Sequence, residues 1–225
     1  MEYDNALNQL KSFSNPDTVE GTASFGINSL NSSGVPSSNL KKIAKEIGKN
    51  HLLAQQLWAS RVHEARILAS MIDDPEFVTE GQLESWVKDF DSWDVCYQCC
   101  INLFYKTKFA YQKAIEWSVR GEEFVKIAGF VLMAELATYD KKAKDDEFQD
   151  FLPIIKTGST DSRSLVRKAV SLALRQIGKR SLNLNKKAIE IVKEIQKMGS
   201  KNADWVAYEA FRELTSDKIQ GKLRK

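Results

Sequence analysis

Apolar residues recur at three- and four-residue spacing along most of this chain, which is the period of an amphipathic helix. Clear examples are the runs over 40–47, 65–72, 130–137 and 189–195. The alternation of apolar and polar residues that indicates a strand does not occur over a comparable length. The pattern therefore predicts an all-α protein.

The ends of these helices are marked by capping residues and by turn-forming clusters. Asn50 and Asp91 are candidates for N-caps, and Thr79-x-x-Gln82 has the pattern of a capping box. Polar clusters that contain Gly or Pro predict breaks over 73–76, 120–122, 157–160 and 198–200.

The N-terminal segment differs from the rest of the chain. A helix is predicted over about residues 2–13, followed by an irregular connection from Asn15 to Ser38 that is rich in Ser, Asn, Gly and Thr. The next helix should begin near Ser38. We therefore predict an N-terminal segment over residues 1–37 and one helical-repeat domain over residues 38–225.

A repeat of about 40 residues supports this organisation. The segments 124–130, 165–171 and 205–211 start 41 and 40 residues apart, and each opens with a bulky apolar residue followed by Val. Such a period is typical of HEAT and armadillo arrays, which have two or three helices per unit. We predict five antiparallel helix pairs, stacked into an α-α superhelix whose concave face is formed by the second helix of each pair. The first helices should lie near residues 50–60, 79–88, 108–119, 144–156 and 182–197.

The net charge is only +3, but it is unevenly distributed. From Lys156 to Lys201 there are twelve Lys or Arg residues against three acidic ones, so this block carries +9 and the rest of the chain −6. This asymmetry indicates one surface that faces a polyanion such as nucleic acid. Solvated lysines on exposed helix faces would give the same composition.

Three cysteines, Cys96, Cys99 and Cys100, lie within five residues and cannot form a disulfide framework. The Cys96-x-x-Cys99 spacing leaves a zinc or redox site open, but no second ligand pair follows it. We favour buried small residues on a packed helix, and expect neither a metal nor a cofactor.

No apolar run approaches the ~20 residues of a membrane span, and the N-terminus lacks the pattern of a signal peptide. We expect a cytosolic protein, or a nuclear one in a eukaryote, without a membrane partner.

Four motifs in order along the chain resemble the AlkD-type DNA alkylation repair family, which are DNA glycosylases built from HEAT-like repeats. The resemblance runs from about Leu40 to Leu214. The motifs are Leu57-Trp58 with the segment 63–69, Asp91-Ser-Trp-Asp94, the segment 168–180, and Arg212-Glu-Leu214.

The resemblance implies excision of cationic N-alkylated purines, such as 3-methyladenine and 7-methylguanine. The positive charge already weakens the N-glycosidic bond, so the enzyme need only stabilise an oxocarbenium-like sugar. That task requires a carboxylate beside the sugar, aromatic faces against it and a basic residue on the phosphate. The family implies no metal and no cofactor.

Three of the four key positions of the family hold a different residue here. Trp93 is retained, but the carboxylate expected one turn later is Tyr97, whose phenol, with a pKa near ~10, is neutral at pH 7. The family's Arg aligns with Ile127, and a further Trp aligns with Leu172. These substitutions leave open whether the chain is an enzyme.

Two residues could restore part of the chemistry. Asp94 is a hypothetical surrogate base, although it projects about 100° away from Trp93 on a helix. A shift of one position would bring Lys126 into the role of the family's Arg.

The candidates for phosphate binding are better preserved. Lys168, Arg175 and Lys179 have the spacing of one helix face, and a groove of such residues binds DNA without regard to sequence and with strong salt dependence. The full set of DNA-binding candidates is Lys126, Arg163, Arg167, Lys168, Arg175, Lys179 and Arg180. Lys186, Lys193 and Lys197 either extend this groove or simply solvate an outer helix.

Other residues of the motifs are expected to be structural. Trp58, Trp86, Trp117 and Trp205 have the spacing of core residues. His63-Glu64 and Arg66 are expected to form a buried ion pair or a cap.

Three functions remain open from the sequence. The one we favour is a DNA-binding protein that recognises double-stranded or distorted DNA by shape and backbone charge, with weak or absent glycosylase activity. The alternatives are an active glycosylase with a rearranged site that uses Trp93 and Asp94, and a scaffold that binds acidic peptides. We expect a monomer in each case.

Overall fold

The computed structural model describes residues 2–15 and 34–224, and over these residues it contains helices and no strand. The all-α prediction is confirmed. The α-helices are α1 (Tyr3–Ser12), α2 (Ser37–Ile47), α3 (His51–Ala59), α4 (His63–Ile72), α5 (Glu80–Lys88), α6 (Trp93–Asn102), α7 (Ala110–Ser118), α8 (Glu123–Tyr139), α9 (Asp145–Gln149), α10 (Phe151–Gly158), α11 (Ser164–Gly178), α12 (Leu182–Gln196), α13 (Lys201–Leu214) and α14 (Asp217–Leu223). A 3₁₀-helix follows α6 over Phe104–Lys106.

Helices occur at the positions of the five predicted pairs, which are α3/α4, α5/α6, α7/α8, α10/α11 and α12/α13. The two members pack on each other in the first, third, fourth and fifth of these. The first helix of the fourth pair, expected over 144–156, is divided into α9 and α10. Pro153 lies in the first turn of α10, where a missing backbone N–H disrupts no helical hydrogen bond. The predicted connection over 15–38 falls mainly on residues 16–33, which lie outside the described residues.

The chain forms two compact units, residues 1–107 and 108–225. In the first unit, α1 packs on α2, α3 and α4, and α4 packs on α3, α2 and α6. The predicted single domain over 38–225 stays a prediction.

Helix α8 is the centre of the second unit and packs against both α7 and α11. Its residues from Ile127 to Ala137 are all buried, which explains why the sequence shows little polar face here. Gly129 permits the contact with α7, because a Cβ atom at this position would lie 2.4 Å from the backbone nitrogen of Ser118. Helix α11 then packs against α12 and α13.

Side-chain caps begin several of these helices. Asn50 and Thr79 accept from the backbone N–H three residues later, so both predicted N-caps are confirmed. The predicted capping box is not formed in full, because the Gln82 side chain donates to Asp73. The prediction that Asp91 is an N-cap is wrong: Ser92 caps α6 by accepting from Val95, and Asp91 contacts Arg66 at 3.4 Å. The shorter Ser side chain lies one residue closer to the first turn of α6.

The tryptophans of the first unit's core form a stacked pair. Trp58 and Trp86 lie with ring centroids 4.0 Å apart and planes inclined by 3°. Trp117 is fully buried in the second unit, so the core prediction holds for these three residues. It is wrong for Trp205, which is 40% exposed on α13.

Within residues 2–15 and 34–224, no helix combines the length and the hydropathy needed to cross a membrane.

Candidate nucleic-acid interface

Trp93 and Tyr97 form an aromatic pair at the start of α6. The cap at Ser92 starts the helix at Trp93, and the i, i+4 spacing places both rings on one face. Their centroids are 6.1 Å apart and their planes differ by 10°. Both side chains are partly exposed. The residue for which the resemblance predicts a carboxylate is therefore a phenol that stacks on Trp93.

Asp94, the hypothetical surrogate base, is bound to a neighbouring helix. Its Oδ2 atom accepts a hydrogen bond of 3.1 Å from Nε2 of His63 on α4. His63 is buried, whereas the Asp94 side chain is 35% exposed. The contact links α4 to α6 and engages one of the two carboxylate oxygens of Asp94.

The other polar residues at the start of α4 are also structural. Glu64 is buried and accepts a hydrogen bond of 2.8 Å from the backbone N–H of Gly34. Arg66 donates to the carbonyl of Asp89 and lies over the Trp58 ring at 5.2 Å. The structural role expected for these residues is confirmed.

The three cysteines are all buried in α6. Burial is the main cause that raises the pKa of Cys99 well above its ordinary value, so this thiol stays protonated and unreactive. Among the described residues, no three His, Cys, Asp or Glu side chains lie close enough together to hold a metal ion.

Two further positions of the family's chemistry lie in the second unit. Ile127, which the resemblance aligns with the family's Arg, is fully buried in α8. Leu172 is partly buried on α11. Lys126, the residue that a one-position shift would use, donates a hydrogen bond of 3.1 Å to Asp161.

Asp161 organises the basic residues that precede α11, and we call this group the Asp161 cluster. Its carboxylate accepts from Arg163 at 2.7 and 2.9 Å and also binds Lys126. The hydrogen bonds from Arg163 are the largest cause that lowers the pKa of Asp161, and the same contact raises the pKa of Arg163. Arg167 donates to the carbonyls of Asp161 and Ser162. The cluster thus contains three cations and one carboxylate.

Glu213 on α13 organises a second group, the Glu213 cluster. It accepts hydrogen bonds of 2.6 Å from both Arg175 and Lys179 of α11. Burial alone would raise the pKa of Glu213, but the hydrogen bonds from Lys179 and Arg175 outweigh it and lower that pKa. The i, i+4 spacing of the two cations places both head groups at one carboxylate.

The remaining two candidates differ from each other. Arg180 donates to the carbonyls of Ala137 and Ala143 and stacks over Phe148 at 4.3 Å, so it closes the C-terminal end of α8. Lys168 is exposed and has neither an ion pair nor a hydrogen bond within the described part of the chain. DNA binding by the seven candidates stays a prediction.

Three acidic residues of the second unit were not singled out from the sequence, two in the basic clusters and one in the core of α8. Asp161 and Glu213 are isolated acidic residues whose role depends on cations that fold against them, although Glu213 lies in the quoted motif Arg212-Glu-Leu214. Glu135 is 5% exposed on α8, and burial raises its pKa from the ordinary value of 4.5 to about 7. Its signal in the sequence was a single acidic residue inside the apolar segment 127–137.

A solved structure shares this fold. It belongs to a protein described as one of "a new family of proteins related to the HEAT-like repeat DNA glycosylases with affinity for branched DNA structures". The two chains are 22% identical with a TM-score of 0.80, over 95% of this chain and 96% of that one. This likeness confirms the predicted HEAT-like fold.

A designed armadillo repeat protein in complex with a (KR)4 peptide gives a TM-score of 0.39 at 14% identity, over 93% of this chain and 86% of that one. No curated protein sequence gives a significant match.

The sequence profile of the family described as "DNA alkylation repair enzyme" matches residues 6–214, which is nearly the whole chain. The match includes α6 with Trp93 and Tyr97, and also both basic clusters. The chain belongs to the DNA alkylation repair family.

Proposed function

We propose that this protein binds distorted or branched duplex DNA through the phosphate backbone, with weak or absent release of alkylated bases. The observation that carries the proposal is the pairing of two cations with each organising carboxylate. Lys126 and Arg163 share Asp161, and Arg175 and Lys179 share Glu213.

This arrangement holds the cations in place without neutralising them. Each carboxylate cancels one of its two cations, so each group keeps a net positive charge, and Arg167 and Lys168 add to it. Long side chains that are already ordered lose less conformational entropy when a phosphate binds. Such contacts give affinity that falls steeply with salt and depends little on sequence.

Recognition of DNA shape follows from what this surface contains. Contacts to phosphates position a protein on DNA without reading the bases, so discrimination must come from the path and deformability of the backbone. The protein of known structure with the same fold is described as having affinity for branched DNA, which supports the same preference here.

The residues at the positions required for base release favour weak or absent glycosylase activity. A neutral phenol at Tyr97 stabilises a cationic sugar less well than a carboxylate does. Ile127 lies in the core, and Asp94 is held by His63. The retained aromatic face of Trp93 alone supplies only part of the stabilisation that the reaction needs.

Fluorescence anisotropy with a four-way junction and a linear duplex of the same sequence tests this proposal. We expect tighter binding to the junction. The double variant Arg175→Gln/Lys179→Gln should weaken binding to both and lower the slope of log K against log salt by about 2. Lys45→Gln is the control, because Lys45 is exposed on α2 and is not among the DNA-binding candidates.

If the wild type and the double variant have the same salt slope, the Glu213 cluster is not part of the DNA interface. Absence of binding to any duplex or junction at low salt would overturn the proposed function. A dominant protein partner that survives nuclease treatment would then favour the scaffold.

A further inference from the structure

The second unit contains a small pocket between α11 and α13 that lies beside the basic residues. Its volume is about 210 Å³, and it is lined by Ser164, Arg167 and Lys168 of α11 and by Trp205 of α13. The pocket combines two cations with an aromatic ring.

Trp205 is exposed in a chain that otherwise buries its core tryptophans. Trp58, Trp86 and Trp117 are at most 4% exposed, whereas Trp205 is 40% exposed. Tyr208 and Phe211, one and two turns later on α13, are 61% and 42% exposed. An aromatic ring left in water beside positive charge is the arrangement on which single-stranded nucleic acids stack their bases.

The two cations of the pocket have bonding capacity left for a ligand. Lys168 has no partner within residues 34–224, unlike the cations of the Asp161 and Glu213 clusters. Arg167 uses one guanidinium nitrogen, Nη1, for both of its hydrogen bonds, which go to the carbonyls of Asp161 and Ser162. Its Nη2 has no acceptor among the described residues, and a guanidinium with free N–H groups binds a phosphate oxygen well.

The size of the pocket limits the ligand. Sites for drug-sized molecules have volumes of about 300–1,000 Å³, so this smaller pocket suits one planar ring with an adjoining phosphate. Within a duplex, both faces of each base are covered by its neighbours. A base can therefore stack on Trp205 only where it has left the helical stack.

We propose that this pocket binds one unstacked nucleotide of a single-stranded DNA segment, with its base on Trp205 and its phosphate held by Lys168 and Arg167. The inference rests on the proposed function and deepens it. A branched or interrupted duplex offers both parts of the ligand, because the duplex meets the basic clusters and the free strand supplies the unstacked base.

The test compares a blunt duplex with the same duplex that carries a short single-stranded flap, by fluorescence anisotropy at one salt concentration. We expect the flap to tighten binding by about 10- to 100-fold, the range for one base stacked on an aromatic side chain. Trp205→Ala should reduce flap binding to the affinity of the blunt duplex, without changing the blunt duplex. Trp205→Phe should keep most of the preference.

Two controls separate stacking from other effects. Tyr208→Ala removes a more exposed aromatic side chain of α13 that does not line the pocket, and it should keep the flap preference. A flap with abasic sites, tested on the unaltered protein, should bind like the blunt duplex.

This inference is overturned if the wild type binds the flap and the blunt duplex equally well, or if Trp205→Ala keeps the preference for the flap. Either result leaves the proposed function in place. Failure to bind any DNA would overturn both.

Discussion

The contacts of Asp94 and Tyr97 bear directly on whether this protein releases bases. Tyr97 stacks on Trp93, and Asp94 binds the buried His63 of α4. At the scale of single residues, both side chains are engaged in contacts within the protein, Tyr97 along α6 and Asp94 to α4.

This account predicts the effect of Asp94→Asn. An amide oxygen can still accept from His63, so the variant should lose no more than about 1 kcal/mol of unfolding free energy. Release of 7-methylguanine under single-turnover conditions should be the same as in the wild type. A wild-type rate above the spontaneous one that falls at least tenfold in the variant would make Asp94 a catalytic residue.

Glu135 gives a prediction about pH. Burial raises its pKa from 4.5 to about 7, so between these values the folded protein holds a proton that the unfolded chain has lost. Through this group, the unfolding free energy is highest below about pH 4.5 and falls as the pH rises towards 7.

Glu135→Gln should therefore be more stable than the wild type at pH 8, by about 1–2 kcal/mol, and no more stable at pH 4. Urea denaturation at the two pH values measures the difference. An equal effect at both would mean that the charge of Glu135 is not the cause.

At the scale of elements, the packing of α7 on α8 depends on Gly129. Gly129→Ala places a Cβ atom 2.4 Å from the Ser118 nitrogen and 2.8 Å from its Cα atom, and backbone atoms cannot rotate away as a side chain can. We expect a loss of about 1–3 kcal/mol in unfolding free energy. Gly121→Ala is the matched control, since no atom lies within 4 Å of its added Cβ. Equal stability of the two variants would show that α7 moves freely on α8.

The contact of α11 with α13 depends partly on Glu213. The pKa of this carboxyl is lowered in the folded protein, so its contribution is complete above the unfolded pKa of about 4.5 and is lost as the pH falls through the folded pKa.

Glu213→Gln should destabilise the protein by about 1 kcal/mol at pH 7, a modest value because its partners are partly exposed, and by less at pH 3. Thermal or urea denaturation measures it, with Glu209→Gln on the same helix as the control. The same loss at both pH values would contradict an electrostatic role.

At the scale of the whole molecule, the helix pairs could be predicted because their signals are local. Periodic apolar residues, caps and a 40-residue repeat placed five pairs, and the last three begin their second helices at Glu123, Ser164 and Lys201. The excess of Lys and Arg over 156–201, which belongs to the second unit, could likewise be counted from the sequence.

The site was less predictable because its residues are brought together by tertiary contacts. The bonds of Asp161 to Lys126, of Glu213 to Arg175 and of Asp94 to His63 join residues 31 to 38 positions apart. Trp205 has the helical spacing of Trp117 but is 40% exposed, because spacing places a residue on a helix face and does not show whether another helix covers that face.

One measurement tests the central claim that the chain keeps a DNA-binding surface without the chemistry of its family. A methylated duplex is incubated with excess protein, and the bound fraction and the released 7-methylguanine are measured in the same samples. The account predicts that the duplex is bound and that the base leaves at the spontaneous rate. Release well above that rate, lost in Trp93→Ala, would contradict it and show that a working site has been rebuilt around α6.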